Sequence, residues 1–90
     1  MTTLSGNIQV EAFTPELLRG WAFVPLITVY RNPRDFPGKW VARLFDLNRP
    51  TPIMAIADSH GELLKALPPS GMVRMPRRPD DDPVIEEVWM

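Results

Sequence analysis

Apolar and polar residues alternate along several short segments of the chain, and this period of two predicts a small sheet. In the first segment Ile27 and Val29 alternate with Thr28 and Tyr30, as a half-buried strand requires. Residues typical of turns separate the segments. The predicted strands cover residues 26–31, 40–46, 53–57, 72–75 and 84–89. The first three predict an antiparallel meander.

Two other segments carry the signals of short helices. Thr14 precedes a proline and a glutamate, which suit the cap and first turn of a helix predicted over 15–22. Ser59 and Glu62 have the spacing of a capping box at the start of a second helix, predicted over 60–67. Two prolines then end that helix.

These elements predict an α+β fold: a small antiparallel sheet of four or five strands, with one or two short helices packed on one face. The inward face of the second strand is ambiguous, because Trp40-Ala42-Leu44 and Val41-Arg43-Phe45 both alternate. The predicted core residues are Leu18, Trp21, Ile27, Val29, Val41, Leu44, Ile53, Ile56, Leu63, Leu67, Val73, Ile85 and Val88.

Length and composition restrict the class of protein. Ninety residues without an internal repeat fit one domain over residues 1–90. The absence of cysteine excludes disulfides and thiolate zinc sites. The first residues lack the basic region of a secretory signal, and the longest apolar stretch, residues 21–27, is too short to span a bilayer. We therefore expect a cytoplasmic protein without a membrane partner.

The net charge of −1 hides a segregation of charge along the chain. Residues 31–78 hold nine basic and four acidic side chains, which gives a net charge of +5. Residues 79–90 hold five acidic side chains and no base, which gives −5. The acidic end is therefore able to cover cations of the basic middle.

The sequence offers little for catalysis by histidine. His60 is the only histidine, so a histidine metal cluster is excluded. Asp58, Ser59 and His60 are consecutive at a helix start, whereas members of a catalytic triad meet across a fold. Helix capping therefore accounts for these residues better than catalysis does.

The acidic residues near the end of the chain also have structural interpretations. Residues 80–82 are consecutive aspartates without EF-hand spacing, so a solvated acidic loop is favoured over a cation site. The arginines expected beside this loop are Arg74, Arg77 and Arg78. Glu86 and Glu87 point to opposite faces of a strand, and the inward one requires an arginine partner, for which Arg43 is the candidate. We predict no catalytic residue, metal ligand or cofactor, and a small enzyme is the least favoured class.

The connection between the first two strands holds more arginines and aromatics than a turn needs, and these residue types anchor protein interfaces. The predicted partner-binding residues are Arg31, Arg34, Asp35, Phe36, Lys39 and Trp40. They predict a protein-binding or regulatory module whose partner the sequence does not identify. The alternative is nucleic-acid binding by the basic region from Arg31 to Arg43, since cations beside aromatics bind phosphates and stack bases. A homodimer through the edge of the final strand is compatible with either function.

Two motifs resemble a group of small uncharacterised bacterial and prophage-type proteins. Residues 30–45 read YRNPRDFPGKWVARLF, and residues 81–89 read DDPVIEEVW. The resemblance covers about residues 28–90, with residues 1–27 as an extension that includes the first helix. It supplies no catalytic residue and implies a mobile-element setting, in which small proteins act as inhibitors or accessory factors by occupying a partner's surface.

Overall fold

The computed structural model describes residues 7–68, 71–76 and 84–90. It contains six strands and two short helices in these ranges. In chain order they are β1 (Ile8–Gln9), α1 (Pro15–Trp21), β2 (Pro25–Arg31), β3 (Trp40–Asp46), β4 (Arg49–Ala57), α2 (His60–Leu64), β5 (Arg74–Pro76) and β6 (Ile85–Trp89). The predicted α+β class is confirmed.

All six strands form one sheet in the order β1-β4-β3-β2-β6-β5. Strands β2, β3 and β4 form the predicted antiparallel meander, and β6 pairs antiparallel with the free side of β2. The short β1 pairs parallel with β4, so the sheet is mixed rather than purely antiparallel. Two residues are too few to show an alternation, which is why the sequence pattern missed this strand.

The bounds of α1, β2, β5 and β6 differ from the predictions by one or two residues, and two larger differences have physical reasons. β4 begins at Arg49 rather than residue 53 and includes Pro50 and Pro52. β1 pairs only with Ile53 and Met54, so the first residues of β4 have no neighbouring strand on their outer side. Pro50 and Pro52, which lack an N–H donor, lie in this unpaired part. α2 ends at Leu64 rather than residue 67, and its last turn tightens into hydrogen bonds between residues three apart.

Both helices pack on one face of the sheet. Leu18 from α1 and Leu63 from α2 share a core cluster with Ala42 and Leu44 of β3, which settles the ambiguous face of that strand. Val41 points to the opposite, helix-free face and is also buried. The remaining buried members of the cluster are Phe13, Ile27, Val29, Ile53, Ala55, Ala66 and Leu67.

Two predicted core residues are exposed. Trp21, the last residue of α1, is 43% exposed. Val73 is 65% exposed because it precedes β5, where its backbone pairs with that of Met90 while its side chain faces outward. Ile56, Ile85 and Val88 are half-buried. In the ranges described, no helix combines the length and apolar character needed to cross a membrane.

Candidate functional site

The β2–β3 loop, residues 32–39, is held in one shape by its own hydrogen bonds. The Asn32 N–H donates to the Lys39 carbonyl at 2.8 Å, and Asn32 Oδ1 accepts from the Gly38 N–H at 2.6 Å. Asn32 has φ 50° and Gly38 has φ 76°, values that asparagine and glycine adopt more readily than other residues. A further turn is closed by the Phe36 N–H, which donates to the Pro33 carbonyl at 3.0 Å. The loop is therefore preformed.

This loop forms one wall of a cleft on the helix-free face of the sheet. The cleft has a volume of about 250 Å³. Its lining residues are Tyr30, Pro33, Asp35, Phe36, Val41 and Arg43. We call these residues the loop cleft. Half-buried aromatic, proline and arginine side chains give it an apolar floor with one cation and one carboxylate at its walls.

Arg43 supplies the cation of the loop cleft. Its guanidinium donates to the Thr51 carbonyl and to Asn7 Oδ1, both at 2.9 Å, and contacts the Met54 sulfur at 3.6 Å. These partners are uncharged, and Arg43 belongs to none of the ion pairs between described residues. The structure therefore fixes the position of this positive charge, and no described carboxylate neutralises it.

The six predicted partner-binding residues do not form one surface. Asp35 and Phe36 line the loop cleft, and Arg34 is exposed on the same loop. Arg31 and Trp40 face the helix-bearing side instead, where the Arg31 guanidinium carbon lies 6.0 Å from the Trp40 ring centroid. The division follows from the register, because Arg31 pairs with Trp40 and Tyr30 with Val41.

Trp40 and the remaining residue, Lys39, are engaged within the fold. Trp40 packs against the core, and its ring stacks on that of His60 with centroids 4.6 Å apart. Lys39 forms an ion pair with Asp58. A partner would have to compete with these contacts, whereas the loop cleft is open.

A second polar cluster surrounds Glu87, whose side chain is completely buried on the helix-bearing side. Its Oε1 accepts from Arg74 Nε at 2.8 Å, and its Oε2 accepts from Trp89 Nε1 at 2.7 Å. His60 Nε2 lies 3.2 Å from Oε2 but is not directed for a hydrogen bond. The predicted arginine partner Arg43 is wrong, because it lies on the opposite face and Arg74 takes that role.

These contacts determine the ionisation of Glu87. Burial alone raises the pKa of the carboxyl, but hydrogen bonding to Arg74 and Trp89, together with His60, outweighs burial and holds the pKa below its usual value. The carboxylate is thus charged and compensated in the folded protein. This arrangement joins β6 to β5 and to the start of α2.

The start of α2 shows the role of the residues around His60. Ser59 is the N-cap, and its Oγ accepts from the Glu62 N–H at 3.2 Å. The Glu62 carboxylate contacts the Ser59 hydroxyl at 3.4 Å instead of the Ser59 amide, so only half of the capping box forms. Asp58 points to Lys39 and His60 to Glu87, so the three consecutive side chains have separate partners.

The predicted acidic loop at residues 80–82, with Arg77 and Arg78, lies outside the described residues. Among the residues that are described, no group of three or more histidines, cysteines, aspartates or glutamates could hold a metal ion. Comparisons with protein-family models, with curated proteins and with solved structures find no match. The geometry of the chain therefore carries the functional argument.

Proposed function

We propose that this protein is a non-enzymatic protein-binding module that holds a segment of its partner in the loop cleft. One observation carries the proposal: a preformed loop places Phe36 beside Arg43, whose charge is fixed but not neutralised by a described carboxylate. Aromatic and arginine side chains dominate the energy of protein interfaces. A loop already held by hydrogen bonds also loses little entropy on binding.

The cleft fits one apolar side chain of the partner with a polar or acidic neighbour. The apolar group would pack on Phe36 and the floor residue Val41, while the neighbour would meet Arg43. The resemblance of residues 30–45 to prophage-type proteins supports a role as an inhibitor or accessory factor of a mobile element. Such a role needs an occupied partner surface rather than a reaction.

Nucleic-acid binding is the second candidate, and the same pairing of Phe36 and Tyr30 with Arg43 favours it, because unpaired bases stack on aromatics beside cations. Two acids oppose it. Asp35 lines the cleft, and Asp58 already neutralises Lys39. A protein partner therefore agrees better with the charges.

The test is affinity capture of the tagged protein from bacterial lysate, with and without nuclease, using the wild type and Phe36→Ala. A stoichiometric protein that survives nuclease and is lost with Phe36→Ala supports the proposal. Leu64→Ala is the matched control, because Leu64 is an exposed apolar residue of α2. Circular dichroism of both variants tests whether they keep the fold of the wild type.

Two results would contradict the protein-binding function. If capture disappears with nuclease, and binding to single-stranded nucleic acid falls steeply with salt, the second candidate replaces it. If Phe36→Ala captures the same protein as the wild type, the loop cleft is not the binding site.

A further inference from the structure

Four large apolar side chains are exposed at the end of the sheet opposite to the β2–β3 loop. Trp21, Phe23, Val24 and Leu47 are 43%, 98%, 47% and 58% exposed. We call these four residues the Phe23 patch. They belong to the end of α1, the approach to β2 and the β3–β4 turn. Contiguous exposed apolar groups on small proteins mark interaction sites.

Hydrogen bonds hold the Phe23 patch in place. One oxygen of the Asp46 carboxylate accepts from the backbone N–H of Phe23 at 3.1 Å and of Val24 at 2.9 Å. The Leu47 N–H donates to the Val24 carbonyl at 2.8 Å. The chain before β2 is thereby tied to the β3–β4 turn. These hydrogen bonds fix the backbone of Phe23. The exposed position of its side chain is therefore determined by the fold.

Leu47 provides a second and independent observation. It has φ 58°, in the left-handed region that asparagine and glycine favour at a two-residue hairpin turn. A leucine at this backbone conformation is strained. The next residue along the chain, Asn48, is of a type that adopts this conformation more readily. Departures from local preference without a compensating internal contact occur at functional sites. The leucine side chain is 58% exposed, so packing within the chain does not account for it.

The surroundings of the patch indicate what covers it. A cavity of about 120 Å³ adjoins it, and its lining includes Arg19, Trp21, Phe23 and Asp46. A side chain of a partner protein can fill such a cavity, whereas a bilayer presents a surface without a discrete group to insert. Arg19 and Arg49 are exposed beside the patch and belong to none of the ion pairs between described residues.

From these observations we infer that the Phe23 patch is a second docking surface, and that its occupant is a protein segment in which aliphatic or aromatic residues are flanked by acidic ones. The apolar residues pack on Phe23 and Leu47, and one enters the adjoining cavity. The acidic residues pair with Arg19 and Arg49. β2 separates this surface from the loop cleft by seven residues, or about 20 Å at roughly 3.3 Å per residue, so the two surfaces accept different segments.

The test is selection of a random peptide library displayed on phage against the purified protein, followed by measurement of affinity for the enriched peptides. We expect enriched sequences to combine apolar residues with aspartate or glutamate. Affinity should fall at least about tenfold for Phe23→Ala and for Leu47→Gly. Leu47→Gly also relieves the strained backbone, so this variant should unfold no more easily than the wild type.

Charge reversal and a matched control complete the experiment. The double variant Arg19→Glu, Arg49→Glu should lose the acidic peptides and, in a new selection, enrich peptides with lysine or arginine. Leu64→Ala removes an exposed apolar residue elsewhere and should retain full affinity.

Four outcomes would overturn the inference. The first is a library that enriches no peptide dependent on Phe23. The second is a set of peptides lost with Phe36→Ala but not with Phe23→Ala, which places them in the loop cleft. The third is a concentration-dependent dimer in sedimentation that Phe23→Ala abolishes, which makes a second copy the occupant. The fourth is Phe23-dependent binding to phosphatidylcholine vesicles containing phosphatidylglycerol, which makes a lipid surface the occupant.

Discussion

At position 87 a carboxylate is buried beside its two hydrogen-bond donors, Arg74 and Trp89, while its neighbour Glu86 is only half-buried. The sequence predicts that one of the two points inward and needs an arginine, which is correct. It does not identify the arginine, because the pairing of β6 with β5 decides which cation lies close. The hydrogen bond between Glu87 and Arg74 links the two short strands β6 and β5.

Glu87→Gln tests the role of this charge. The substitution keeps the size of the side chain but weakens its interactions with Arg74 and His60. We expect the free energy of unfolding to fall by about 2 kcal/mol, near the middle of the range for hydrogen bonds to charged groups, since Arg74 is half-exposed. Urea denaturation gives this value. Glu86→Gln is the matched control and should change stability by no more than about 0.5 kcal/mol.

The same carboxylate makes stability depend on pH. Its pKa is lower in the folded protein than the ordinary value of 4.5, so below that value the unfolded chain binds more protons than the folded chain. The stabilisation by Glu87 is complete above about pH 4.5 and is lost as the pH falls through the lower folded pKa. Urea denaturation between pH 7 and pH 3 should show the wild type approaching Glu87→Gln at the acidic end. A constant difference between them would contradict the assignment.

At the scale of elements, local signals predicted what local interactions determine. The bounds of β3 and the Ser59 cap of α2 follow from alternation and capping chemistry, and both appear as predicted. β1 could not be predicted, because its two residues form a strand only through pairing with β4. Pairing between strands also explains why the six predicted partner-binding residues do not form one surface. Which side of the sheet Phe36 and Trp40 reach depends on the fold of the loop between them.

Ser59→Ala tests how much the cap contributes to a helix as short as α2. Loss of the Oγ acceptor leaves the Glu62 N–H without its partner, so we expect stability to fall by about 1 kcal/mol. Ser59→Asp retains an acceptor at the N-cap and should remain close to the wild type. Thermal unfolding followed by circular dichroism compares the three proteins. Equal losses for both variants would show that the hydroxyl acts in some way other than capping.

For the whole molecule, the two surfaces that we propose for docking lie at opposite ends of β2, and the sequence indicated only one of them. The β2–β3 loop is conspicuous because arginines and aromatics are concentrated in a short segment. The residues of the Phe23 patch come from separate parts of the chain, and Trp21 among them was predicted to lie in the core. Their exposure depends on where α1 ends relative to the β3–β4 turn, which no local pattern contains.

The described residues before β2, residues 7–24, pack against the rest of this fold, and Phe13 tests how much they contribute to it. Its side chain is 1% exposed within the core cluster, and its N–H donates to the Ala66 carbonyl at 2.7 Å. Phe13→Ala should lower the free energy of unfolding by about 3 to 5 kcal/mol, a large share of the roughly 5 to 15 kcal/mol expected for a domain of this size. Ile8→Ala, at a side chain that is 45% exposed, should cost less than about 1 kcal/mol. Chemical denaturation that finds Phe13→Ala no more costly than Ile8→Ala would show that the first helix is an appendage; a single cooperative transition weakened by several kcal/mol would show that it folds with the sheet.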